Sequence, residues 1–101
     1  MVDLKTLDTK SLILDITTNL SRVGNFVLAG NQKKARYFGK EIKMYINELE
    51  KRDYPKTLYF WINKTKTVIK TLETEKYKKE YLADDSFTCG VVLQNKATNL
   101  M

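Results

Sequence analysis

The sequence predicts an all-α fold: an up-and-down bundle of three long antiparallel helices, followed by a short C-terminal segment that packs on the bundle or pairs with another chain. Three observations predict it. Apolar residues recur with a period of 3.6 over three successive stretches. Turn chemistry separates these stretches, at Gly30-Asn31 and at Asp53-Tyr54-Pro55. Both connections are short, and short connections make consecutive helices antiparallel neighbours. At 101 residues the chain fits one domain, 1–101, able to bury one modest core.

Residues 1–8 are polar and are expected to fray. Asp8 or Thr9 caps the first helix by offering a side-chain oxygen to its free N–H groups. Leu12, Ile13, Ile16, Leu20, Val23 and Val27 then fall on one face, up to about Ala29. Gly30 suits the residue after a helix end, because it enters the left-handed region without a Cβ clash. Asn31 caps the second helix, Gln32 to Arg52, whose core stripe is Ala35, Phe38, Ile42, Ile46 and Leu49. Pro55 fits the first turn of the third helix and holds Tyr54 out of helical conformation. That helix buries Leu58, Trp61, Ile62, Thr65, Val68, Ile69 and Leu72. Residues 73–82 can extend it as a solvated stretch through Glu75–Lys79 and Lys76–Glu80 pairs.

Asp84-Asp85 reads as a break. Beyond it, in the segment 83–101, Phe87, Cys89, Val91 and Leu93 alternate with Thr88, Gly90, Val92 and Gln94. Period two and β-branching predict a strand over 86–94, with a short fourth helix as the rival reading. A lone strand needs a partner, so Phe87, Val91 and Leu93 are candidate partner contacts. Residues 95–101 are expected to fray. The turn AGNQKKA at 29–35, with Leu20, Val23 and Gly24 upstream, resembles the inter-helix turn of a tetratricopeptide hairpin, apart from a one-residue deletion. Stepping 34 residues on from Leu20 and Gly24 lands on Tyr54 and Leu58, so no second repeat follows.

Composition narrows function by what is missing. The chain has no histidine and one cysteine, Cys89. This removes the commonest general base, the commonest metal ligand, structural zinc sites and Cys-His or Ser-His-Asp nucleophile systems. Gly24, Gly30, Gly39 and Gly90 are too scattered for a phosphate-cradling loop. The expectation is therefore a non-enzymatic protein with no catalytic residues, no cofactor and no metal. No apolar run approaches the roughly 20 residues of a membrane span, so no membrane role is expected. A single thiol fits a reducing cytoplasm.

The charge distribution carries the positive indication. The chain has a net charge of +6. Residues 30–72 alone hold eleven Lys and Arg against four acids. Lys33, Lys34 and Arg36 occupy the first turns of the second helix. Each cation there opposes the helix dipole by about 0.3–1 kcal/mol, yet cations beside free N–H groups suit an anion. By helical spacing, Lys33, Tyr37, Lys40, Met44 and Lys51 point away from the core on the second helix, and Lys56, Phe60, Asn63, Thr67 and Lys70 on the third. Aromatic rings among lysines can stack on bases while the lysines neutralise phosphates. Lys33, Lys34, Arg36, Lys40, Lys56, Phe60, Lys64 and Lys70 are thus the candidate nucleic-acid or anion contacts, on the face of helices 31–52 and 55–72. Tyr37 and Met44 join the candidate partner contacts. The leading expectation is a small basic binding protein that engages RNA or DNA. The alternative is a protein–protein adaptor or self-associating assembly module.

Overall fold

A computed structural model describes residues 3–101. All regular structure in the described chain is helical: α1 (Thr9–Leu28), α2 (Gln32–Leu49), α3 (Tyr59–Thr74) and α4 (Lys79–Leu100), with 3-10 turns at Leu4–Thr6 and Lys56–Leu58. No described helix is long and apolar enough to cross a membrane.

The first two connections follow from their residues. Asp8 accepts from the Ser11 N–H and starts α1. At the end of α1, Gly30 takes a φ of 76°. Its N–H donates to Val27 O and that of Asn31 to Phe26 O, which closes the helix with a paired left-handed cap. Asn31 then turns its side chain to the Lys34 N–H and opens α2. Pro55 precedes the 3-10 turn that leads into α3.

The C-terminal third departs from the sequence expectation. There is no strand among the described residues, and the chain breaks at 75–78 instead of at Asp84-Asp85. Glu75 stops α3 by adopting φ 59°, a left-handed conformation that no glycine marks in advance. The solvated extension over 73–82 and its two ion pairs therefore do not form as one helix. Asp84 and Asp85 lie exposed in the first half of α4. The buried side of α4 reads Leu82, Ala83, Ser86, Cys89, Gly90, Leu93 and Ala97, a helical spacing made mostly of small residues. The period-two alternation does not survive in the helix: Cys89 and Leu93 lie on the buried side, Phe87 reaches Gly24 from the flank, and Val91 faces out. Residues 95–100 are helical too, with Ala97 fully buried. The fold is thus four helices around one core, not three with an appended segment.

α1 packs most extensively against α4 and α2, while α3 joins α4 and α2 through smaller seams. The order around the bundle is α1-α2-α3-α4, with neighbours antiparallel. Asn19 meets Glu41 across α1 and α2, Gly39 meets Leu72 across α2 and α3, and Gly24 meets Phe87 across α1 and α4. The small residues explain the extent of the α1–α4 seam. A Cβ on Gly24 would stand 2.4 Å from the Phe87 ring, and Ser86 Oγ donates to Leu20 O at 2.7 Å within the seam. Of the lead-in 1–8, residues 3–8 lie against the bundle, and 1–2 are outside the described residues. Leu4 and Leu7 pack against the core, and the Arg52 guanidinium donates to Leu7 O at 2.5 Å and Leu4 O at 2.9 Å. Glu48 supplies its counter-charge at 3.1 Å.

Candidate anion-binding face

The cyclic order puts α2 and α3 side by side and thereby gathers the positive charge. α2 carries five cations and two carboxylates. α3 with its 3-10 lead-in carries four and one. α1 has two cations and one acid, and α4 two cations and three acids, so each is within one charge of neutral. Asp15, Glu80, Asp84 and Asp85 are exposed on α1 and α4. One side of the bundle is basic and the other is not.

The α2–α3 seam also stays open at the surface. A furrow of about 560 Å³ runs between the helices, with Ile46 and Ile69 in its floor and Lys43, Lys66, Lys70, Asn47 and Thr67 on its banks. It continues past Glu50 to a smaller recess of about 220 Å³ at Tyr54, Tyr59 and Asn63. Two ion pairs cross it: Lys43–Glu73 at 2.7 Å, and Lys66–Glu50. Arg36 and Glu75 pair beyond its other end. Each of these six side chains is about half exposed. Glu50, Glu73 and Glu75 are thus all engaged. Lys33, Lys40, Lys51, Lys56 and Lys70 form no ion pair among the described residues, and all are exposed.

The predicted contact residues divide between this face and its flanks. Lys33, Lys40, Lys56 and Lys70 are exposed at its outer helical positions. Arg36 is there but paired. Lys34 turns toward α1, its Nζ 5.4 Å from the Phe26 ring centroid. Lys64 turns toward α4, over Trp61 at 5.9 Å and beside the shallow α3–α4 recess with Tyr77 and Tyr81. Phe60 is 61% exposed and stands edge-on to Trp61, centroids 5.1 Å apart. Trp61 itself is half-buried against the core. Tyr37 and Met44 are exposed as predicted.

Of the C-terminal partner contacts, the structure removes two. Leu93 is 0% exposed in the core, and the Phe87 ring is half-buried against Gly24. Only Val91 remains at the surface. The reason is the helical path of α4, which turns both inward. Lys43 and Lys66 are the residues that sequence reasoning missed. They sit on the flanks of their stripes, and they become furrow residues only once α2 and α3 are known to be neighbours. Cys89 is buried, and that burial pushes its thiol up from the ordinary 9.0. A thiol so placed is a poor nucleophile. No protein-family model, curated protein or solved structure matches this chain.

Proposed function

We propose that this chain is a non-enzymatic binding protein whose α2–α3 face holds an anionic partner, RNA or DNA first. The observation that carries this reading is the segregation of charge. Two adjacent helices bear the whole positive excess, and the carboxylates bordering their furrow are already paired. Such a face raises the local concentration of a polyanion and releases its counterions on contact. The adaptor reading has less to rest on, since no strand among the described residues awaits a partner. It retains the exposed Tyr37, Met44 and Val91.

Binding of a labelled oligonucleotide, measured by fluorescence anisotropy from roughly 50 to 200 mM salt, tests the reading. Affinity should fall steeply with salt. Lys40→Glu with Lys70→Glu should abolish most of it, while Asp84→Lys with Asp85→Lys on the far side should not weaken it. No binding at low salt, or binding indifferent to salt and to both pairs of changes, hands the chain to the adaptor class.

A further inference from the structure

The face has two features that a general polyanion surface does not need. One is the furrow, open to solvent between two flush helices. The other is Phe60, on the outer side of the helical turn that carries Asn63 of the furrow's lower recess. Two packed helices present a front about 20 Å wide, since each is about 10–12 Å across with its side chains. The major groove of a DNA duplex is about 12 Å wide and admits one helix. α2 and α3 lie side by side, so their joint front is too wide for that groove and meets a duplex mainly along its phosphates. A duplex would also leave Phe60 unused, because its bases are already stacked on one another. An unpaired strand has free base faces, and its backbone is narrow enough to follow a furrow.

We propose that the furrow and Phe60 together take an unpaired nucleic-acid strand. This inference rests on the anionic-partner reading above and names the form of that partner. The sugar-phosphate chain lies along the furrow, with a phosphate at Lys70 and others at Lys43 and Lys66, which exchange the exposed Glu73 and Glu50 carboxylates for phosphate oxygens as the strand enters. At the lower end the strand passes Asn63 and sets a base on the open face of the Phe60 ring, near Lys56. The Trp61 ring stands at 87° to it and leaves a Phe60 face open. The selectivity is for strandedness, not for sequence, because every base has a face that can stack on an aromatic ring.

Anisotropy titrations with a labelled thymidine or uridine oligomer of about a dozen nucleotides, and with a duplex of equal length, test this. The single strand should bind about tenfold or more tighter at the same salt. Phe60→Ala should weaken single-strand binding by roughly 5- to 150-fold, leave its salt slope unchanged and leave the duplex alone. Lys70→Ala should lower the single-strand slope by about 0.7, the contribution of one phosphate. Phe60→Leu keeps apolar bulk without a ring and carries the same comparison if the alanine variant melts early. Equal affinity for the duplex, or a Phe60→Leu protein that binds the strand as well as wild type, overturns the inference. Salt-steep binding that survives in that case leaves the anionic-partner reading standing. No binding of either form overturns both.

Discussion

Gly24 and Glu75 are the two residues whose backbone or packing is most specific to this fold. A side chain at Gly24 meets the Phe87 ring at 2.4 Å. Alanine there gains about 1 kcal/mol of helix propensity but forces the ring aside at a cost of about 1–3 kcal/mol, so Gly24→Ala should destabilise on balance in urea unfolding. Adding Phe87→Leu should recover most of that loss. A Gly24→Ala protein as stable as wild type would mean that the ring yields freely. Glu75 holds φ 59° and pairs with Arg36. Glycine and alanine both delete that exposed pair, but only glycine accepts the left-handed backbone. Glu75→Gly should therefore be more stable than Glu75→Ala by about 1 kcal/mol. Titration adds a third expectation. The Ser11 N–H and hydroxyl, with Lys10 and Arg52 as lesser charges, hold the Asp8 carboxyl below its usual 3.8. Its contribution is present above that value and disappears as pH falls through the lower folded value. Burial raises Cys89 above 9.0, and Tyr45 and Tyr54 above 10.0. Those groups keep their protons longer when folded, so stability should hold below about pH 9 and decline above it, first through Cys89. Cys89→Ala should remove the first part of the alkaline decline, and Asp8→Asn should flatten the acid one. An unchanged pH profile in both would assign the titration to other groups.

At the scale of elements, the ends of helices decided what could be read in advance. α1 and α2 were legible because Asp8, Gly30 and Asn31 each do the one thing their chemistry does best. The boundary between α3 and α4 was not, because Glu75 bears the left-handed turn without being glycine, and Lys78 begins α4 without a side-chain cap. Asp84-Asp85 carried the usual signature of a break and sits inside a helix instead. α4 also lacks a bold apolar stripe. Ala83, Ser86, Gly90 and Ala97 fit it closely to α1, and small residues leave little hydrophobic signal. The 3-10 turn at Leu4–Thr6 was hidden for another reason: its anchor, Arg52, lies 45 residues away from Leu7 in the chain. Three guanidinium bonds to its carbonyls, backed by Glu48, make Arg52 a structural cation. Arg52→Ala should cost about 1.5–3 kcal/mol, and Arg52→Lys should recover only part, since one ammonium cannot span those oxygens. Amide exchange over residues 4–12 should quicken in both. If exchange there is unchanged, the turn is held by Leu4 and Leu7 alone.

For the whole molecule, the charge excess was legible from residues 30–72, but its use as a face depended on which helices are neighbours. Helical spacing placed Lys40, Lys56, Phe60 and Lys70 outward, and they are exposed. It could not place Lys43 opposite Glu73 or Lys66 opposite Glu50. Nor could it show that Lys34 and Lys64 lean to the flanks.

The seam between α1 and α4 has a further consequence, in time instead of space. It is the most extensive seam, and it joins the two helices farthest apart along the chain. The α1–α2 hairpin closes over a turn of a few residues, whereas Ser86 reaches Leu20 only after a loop of more than sixty has been closed. Loop-closure entropy makes the hairpin the cheaper nucleus and the seam the later event. Substitutions should divide accordingly in a chevron. Asn31→Ala, at the hairpin turn, should chiefly slow refolding, whereas Ser86→Ala should chiefly hasten unfolding. The reverse partition would put α4 in the nucleus. With the expected one, the molecule's lifetime in the native state is set by how long its last helix stays seated on its first.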